Sequence, residues 1–137
     1  ITSSKQLIMI KKALVLLLVF TTFFQTINAQ TTANVTFQVD MSNVTDPFTV
    51  PEVNGNFNSW CGNCWGMSDS DGDSIWEVVG TIDVNTDYEF KFSADNWGIQ
   101  ETLLQGSPCT MTNFGFTNRI LNVSGDTTLP VVCWGVM

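Results

Sequence analysis

The stretch YEFKFS at residues 88–93 decides the fold class, because apolar and polar side chains alternate along it without a break. Tyr88, Phe90 and Phe92 would point to one side of an extended strand, and the residues between them would point to the other. The stretch VTFQVDM at residues 35–41 repeats this alternation. Both stretches therefore predict strands with one buried face and one polar face.

Strand-like segments and turn signals recur along the rest of the chain. Residues 75–83 place Trp76, Val78 and Ile82 on one face, and the Asp71-Gly72 dipeptide before them is a hairpin turn signal. No stretch from residue 30 onward has the period of an amphipathic helix. About seven short strands at regular spacing predict an all-β chain, folded as an immunoglobulin-like antiparallel β-sandwich.

The first 29 residues have the composition of a secretory signal peptide. Lys11 and Lys12 precede an apolar run that is too short to span a bilayer, and the small residue Ala29 ends the segment. We therefore expect residues 1–29 to be a signal peptide, with an uncleaved membrane anchor as the alternative. Residues 30–137 would then form one domain, secreted or held at the cell surface and not inserted into the membrane. Attachment to further domains in a longer protein is compatible with this sequence.

The acidic composition disfavours several partners. The whole chain has a formal net charge of -8, and without the leader only Lys91 and Arg119 stand against its 13 acidic residues. Such a charge opposes binding to nucleic acid, to anionic membranes and to acidic polysaccharides. A neutral ligand fits this chain best.

Four cysteines predict disulfide bonds, because export exposes thiols to an oxidising compartment. They are Cys61, Cys64, Cys109 and Cys133. Three pairings are possible, and we favour Cys61–Cys64 as a loop clip with Cys109–Cys133 as a longer staple. A redox or zinc role is disfavoured, because the CxxC lacks a strand-to-helix context and the chain has no histidine.

Three tryptophans, Trp60, Trp65 and Trp97, lie in predicted loops. An indole offers a flat apolar surface on which the C–H face of a sugar ring can stack, and large exposed rings usually have something to contact. This pattern indicates carbohydrate binding, although each of the three rings could instead cover the core. Trp76 on its alternating strand is expected to pack in the core, and Trp134 beside Cys133 is expected to pack against the disulfide.

Three aspartates invite a calcium interpretation. Asp69, Asp71 and Asp73 have the spacing of the first three ligands in an EF-hand loop. The sixth position is Ser74 and the twelfth is Gly80, where that loop requires glycine and glutamate. A solvated hairpin tip is the alternative. Calcium is the one cofactor that the sequence suggests.

Catalysis is not expected from this sequence. The absence of histidine rules out a Ser-His-Asp or Cys-His arrangement. A glycosidase needs two carboxylates that face each other across a cleft, and no spacing pairs the candidates Glu77, Glu89 and Glu101. The main rival to sugar binding is a structural or adhesion sandwich without a sugar site, stabilised in one version by calcium.

Four segments taken together resemble a family of sugar-binding modules. They are VNGNFNSW (53–60), DSDGDSIWEV (69–78), YEFKFSADNW (88–97) and GFTNRILNV (115–123). In this order they look like the glycogen- and starch-binding modules of the family 48 type, which are related to the glycogen-binding domain of the AMP-activated kinase β subunit. The resemblance covers about residues 35–123, and implies an early-set β-sandwich in an exported, Bacteroidetes-like version.

The resemblance also implies which residues contact the sugar. The family's contacts with α-glucan fall on Trp60, Lys91, Trp97 and Asn118, with the lysine and the asparagine donating hydrogen bonds to hydroxyl groups. We add Trp65 as a third platform because it lies beside Trp60 in the predicted loop. The resulting prediction is non-catalytic binding of a neutral polysaccharide, with an α-glucan as the first choice and a β-glucan as the alternative.

Overall fold

The computed structural model describes residues 30–136, together with Ser4 and Gln6, which are helical. The predicted signal peptide at residues 1–29 lies outside the described residues, apart from these two, and stays a prediction. In the described part of the chain, no helix combines the length and the apolarity needed to cross a bilayer.

Nine strands are present among the described residues. In chain order they are β1 (Thr32–Asp40), β2 (Pro51–Gly55), β3 (Ile75–Asp83), β4 (Tyr88–Ala94), β5 (Ile99–Gln100), β6 (Thr110–Asn113), β7 (Phe116–Leu121), β8 (Thr127–Thr128) and β9 (Val132–Cys133). Two short 3-10 turns, Asn56–Asn58 and Asn63–Trp65, follow β2. The count exceeds the predicted number of about seven, and three of the nine, β5, β6 and β8, are short strands in segments expected to be loops or turns.

These strands form two sheets around one core. The first has the order β3-β1-β8, with β9 also paired to β1, and the second has the order β2-β4-β7-β6, with β5 also paired to β4. This arrangement confirms the all-β sandwich. The first sheet is mixed rather than purely antiparallel, because β8 and β9 both run parallel to β1.

The predicted alternation accounts for the core. Phe37 of β1 and Phe90 of β4 are both buried, and their rings meet edge to face at 5.4 Å between centroids. Burying each such side chain contributes on the order of 1.5–3 kcal/mol. Trp76 lies opposite the buried Val39 and contacts Phe48 edge-on at 6.0 Å, so its predicted inward orientation is confirmed.

Only one of the two predicted disulfides is present. Cys61 and Cys64 are joined, with their Cα atoms 5.7 Å apart. Cys109 and Cys133 are free and exposed, so that pairing was wrong. The two cysteines belong to different neighbourhoods: the Cys109 carbonyl accepts a hydrogen bond from Ile120 of β7 in the second sheet, whereas Cys133 pairs with Asp40 of β1 in the first sheet. Trp134 packs against the core instead of against a disulfide.

The outer face of the second sheet is covered by loops. Glu52 lies opposite Ser93 and Asn54 lies opposite Lys91 in the β2–β4 pair, and these side chains alternate with core residues such as Val53. They point away from the core, yet all four are buried. The loop that follows β2 and the turn that follows β4 lie over them, and this end of the sheet holds the candidate site.

Candidate functional site

Four of the five binding residues predicted from the sequence line a single groove. Trp60, Lys91, Trp97 and Asn118 contribute to its surface, which encloses a volume of ≈ 570 Å³. The remaining lining residues are Asn56, Glu89, Gln100, Asn113, Phe114 and Phe116. The outer face of β4 and β7 forms the floor, the tryptophan loops form one wall, and the β6–β7 turn forms the other.

Trp60 and Trp97 form a pair on the first wall. Their ring centroids are 6.4 Å apart with 36° between the planes. The Trp97 indole Nε1–H donates to the Trp60 carbonyl oxygen at 3.4 Å. Both side chains are partly exposed, so one indole face can still meet a ligand.

The backbone of the groove loops is held in an uncommon conformation. Trp60 has φ 56° and Trp97 has φ 67°, in the left-handed region. Six of the eight non-glycine residues with positive φ in the described chain belong to these loops: Ser59, Trp60, Asp95, Asn96, Trp97 and Phe114. Such residues cost on the order of 1–3 kcal/mol each and concentrate at functional sites. The strain therefore concentrates at the loops that carry the two tryptophans and at the turn that carries Phe114.

Lys91 brings a buried cation to the floor of the groove. The residue is 7% exposed. Its ammonium makes no hydrogen bond or ion pair with any residue that the structure describes. Burial lowers the pKa of Lys91 below its ordinary value, and the nearby Glu101 carboxylate opposes that shift. Three N–H donors are thus available to hydroxyl oxygens of a ligand.

Glu89 is a groove residue that the sequence analysis considered only as a catalytic candidate. Its carboxylate accepts a hydrogen bond from the Asn118 amide nitrogen at 3.0 Å and another from Asn113. One amide N–H of Asn118 is engaged with Glu89, and the amide keeps a second N–H donor and a carbonyl acceptor. The role of Asn118 as a donor to the sugar stays a prediction.

Phe114 and Phe116 form the second wall, and the sequence analysis missed them as ligand contacts. Phe114 is 102% exposed and Phe116 is 65% exposed. Two phenyl rings around Gly115 at the β6–β7 turn place apolar surface in water, where a binding partner would cover it. The sequence signal was the motif NFGF at residues 113–116, in which two aromatic residues flank a turn-forming glycine.

Trp65 is partly buried, packs against the core and does not line the groove. Its ring stacks on Phe57 at 4.8 Å with 15° between the planes. It also rests on Gly80 of β3, where an added Cβ would collide with the indole. The interpretation of Trp65 as a cover over the core therefore describes the structure, and the third platform has no place in the groove.

The three predicted calcium ligands do come together at a hairpin tip. Asp69, Asp71 and Asp73 each place one carboxylate oxygen within 4.8 Å of the others. Both oxygens of Asp69 already accept backbone N–H groups of the turn, from Gly72 at 2.8 Å and Ser74 at 3.1 Å. Calcium takes six to eight oxygen ligands. A hydrogen-bonded turn accounts for these residues, and calcium binding stays an untested prediction.

The candidate catalytic carboxylates are dispersed. Glu77 is exposed on β3 and bonds to Gln38 across the first sheet. Glu101 is buried and bound to Arg119. Of the three, Glu89 alone lines the groove. They do not supply the facing pair that glycoside hydrolysis requires.

A scan against models of known protein families finds no match for this chain, and a search of curated proteins finds none either. The likeness to family 48 modules therefore rests on the sequence motifs quoted above.

Proposed function

We propose that the domain binds a chain of a neutral polysaccharide, an α-glucan in the first instance, and carries out no chemistry on it. One observation carries the proposal. Two indoles, two exposed phenyl rings and a buried ammonium without a protein partner meet in the same groove. Aromatic surface with a few polar groups is the usual composition of a ligand site.

Each wall and the floor would have a separate task. The C–H faces of glucose units would stack on Trp60 and Trp97 on one side and on Phe114 on the other. Lys91 would donate to hydroxyl oxygens, while Glu89 would accept from hydroxyl hydrogens. A ligand that both donates and accepts satisfies the two charges, whereas an anionic sugar would be repelled by Glu89 and by the acidic domain.

The shape of the site favours a single polymer chain. Aromatic rings stand on two sides of a concave floor. A flat crystalline surface, such as that of cellulose, would touch the rims and leave the floor residue Lys91 without a partner. We therefore favour soluble chains such as glycogen or malto-oligosaccharides, with laminarin as the β-glucan alternative.

Calorimetric titration with maltoheptaose, together with retention in gels containing glycogen or laminarin, would test the proposal. Trp60→Ala and Trp97→Ala should each weaken binding by about 2 kcal/mol, roughly thirtyfold in Kd, as expected for an anchoring aromatic residue. Leu104→Ala is the control, because Leu104 is exposed and does not line the groove.

Two results would contradict sugar binding in this groove. One is the absence of retention by every neutral glucan, which the rival structural or adhesion module predicts. The other is tryptophan variants that bind as well as Leu104→Ala does. Release of reducing sugar by the wild-type protein alone would contradict the non-catalytic part of the proposal.

A further inference from the structure

We propose that three buried polar residues, Glu52, Ser93 and Asn54, are positioning residues that fix the separation of Trp60 and Trp97. None of the three lines the groove. Their effect on a ligand would therefore pass through the tryptophans. The inference rests on the proposed function, since the spacing of the indoles matters for binding only if a sugar meets both.

The burial of these three side chains needs an explanation. They lie on the outer face of β2 and β4, and each is at most 1% exposed. A carboxylate or an amide is costly to bury unless it is hydrogen-bonded, and an apolar side chain would fill such a position without that requirement. Polar residues at all three positions suggest that the hydrogen bonds they form have a role beyond filling the space.

The hydrogen bonds join the three residues into a continuous chain. The Asn54 amide nitrogen donates to the Ser93 hydroxyl oxygen at 2.8 Å. The Ser93 hydroxyl donates to the Glu52 carboxylate at 3.0 Å. We call this series the Glu52–Ser93–Asn54 chain.

Each end of the Glu52–Ser93–Asn54 chain holds a different tryptophan loop. At one end, the Glu52 carboxylate accepts the backbone N–H of Trp97 at 3.0 Å. At the other end, the Asn54 carbonyl oxygen accepts the backbone N–H of Gly62 at 2.7 Å. Gly62 lies two residues after Trp60, inside the loop closed by the Cys61–Cys64 disulfide. The chain therefore connects the backbones that carry the two indoles.

Gly62 shows how closely the two loops are pressed together. It is buried with φ 82°, and an added Cβ would collide with the amide oxygen of Asn96 and press tightly against the Trp97 ring. Only glycine fits a position with both this conformation and this contact. The disulfide restrains the first loop, and the polar chain sets its place relative to the second. Such pre-ordering reduces what a ligand must order when it binds.

A spectroscopic property of the ligand-free protein reports this spacing directly. The centroids of the two indoles lie 6.4 Å apart. At this separation we expect their electronic transitions to couple and to give a paired circular-dichroism band. Trp97→Phe removes one of the two indoles, so its spectrum serves as the baseline without coupling. The signal depends on the separation and angle of the two rings, so a general loss of stability does not by itself change it.

Glu52→Leu tests the proposal, because leucine keeps the bulk of the side chain and removes the acceptor for the Trp97 N–H. We expect loss of most of the coupled band and an affinity for maltoheptaose about tenfold lower. Glu52→Gln keeps an acceptor oxygen and should restore both. Val39→Ala, which creates a cavity in the core far from the loops, should lower the melting temperature and leave the band unchanged.

Several outcomes decide between positioning and a merely structural role. An intact band in Glu52→Leu, or an equal loss in Val39→Ala, would overturn the proposal. If Glu52→Leu does not fold, Ser93→Ala takes its place, because it cuts the chain in the middle and should reduce the band. If the wild-type protein binds no glucan while the band responds as expected, positioning stands and the sugar-binding function fails.

Discussion

Lys91 and Arg119 are the two cations of the described domain, and they lie on opposite faces of the same sheet. Arg119 points inward and donates to both oxygens of Glu101, at 2.9 and 2.6 Å. Its guanidinium also lies 5.6 Å from the centre of the Phe92 ring. Lys91 points outward into the groove and makes no hydrogen bond or ion pair in the described chain.

This difference separates a cation that is ion-paired within the protein from one that makes no ion pair in the described chain. The bidentate Arg119–Glu101 ion pair offsets much of the desolvation free energy that is lost when both charges leave water. Glu101 also accepts the backbone N–H of Gly135, which ties the C-terminal segment to the sheet. Lys91 is buried without an ion pair that would offset the desolvation of its ammonium group. A cation left in this state is typical of a binding or active site, where stability and function oppose each other.

The largest effect should come from breaking the inner pair. Arg119→Leu leaves the Glu101 carboxylate buried without its cation, so the free energy of unfolding should fall by about 3–5 kcal/mol. Urea denaturation followed by far-ultraviolet circular dichroism would measure this. The double variant Glu101→Gln/Arg119→Leu should recover part of the loss. Equal stability of the single and double variants would contradict the structural role of the pair.

Replacing the outer cation should have the opposite sign for stability. Lys91→Met keeps the aliphatic stem and removes a buried charge, so the free energy of unfolding should stay equal or rise by about 1 kcal/mol. Affinity for maltoheptaose should fall about tenfold, because the donor to the hydroxyl groups is gone. Thermal denaturation and calorimetric titration of the same preparation would show both effects. If the variant is less stable and binds maltoheptaose normally, Lys91 has a structural role like that of Arg119.

The smallest effect is a dependence on alkaline pH. Burial places the pKa of Lys91 below its ordinary value of 10.5, with partial opposition from Glu101. Affinity should therefore be constant near neutrality and fall as the pH rises through the lowered pKa, because the ammonium loses its charge. Over the same range the Lys91 contribution to stability should rise, since the unfolded chain then binds more protons than the folded one.

Lys91→Met is the matched control for this titration. It should lack both changes, so the difference between the two proteins isolates Lys91 from the acidic groups and from Arg119. Titration of affinity and of melting temperature between neutral and alkaline pH would be compared. Parallel profiles in the two proteins would show that another group is responsible.

The sequence predicted the strands better than it predicted the contacts between loops. Alternation along residues 88–93 predicted which face of β4 meets the core, because the side-chain period of a strand is local. The groove assembles parts distant in the chain, Trp60 with Phe114 for example, and no local period reports that they meet. Trp65 looked like Trp60 in sequence, yet the absence of a side chain at Gly80 on another strand decided its place in the core.

The cysteines show the same limit of the sequence, which does not report contacts between segments that are distant in the chain. Cys61 and Cys64 are close in sequence, and the bridge favoured between them is present in the structure. Whether Cys109 and Cys133 meet depends on which sheet each segment joins, and that is set by pairing across the whole domain. The inward orientation of Arg119, next to the motif residue Asn118, was likewise not evident from the sequence. To predict that a charged side chain is buried, one must know its partner, and the sequence does not show that Arg119 meets Glu101.

The left-handed backbone at Trp60 and Trp97 bears on how these positions tolerate substitution. Glycine adopts such a conformation freely, whereas a bulky residue does so at a cost in stability. In a displayed library sorted once for folded protein and once for capture on a glucan, glycine at either position would be enriched in the first sort and depleted in the second. The selection for folding and the selection for glucan capture would therefore rank glycine and tryptophan at these two positions in opposite order.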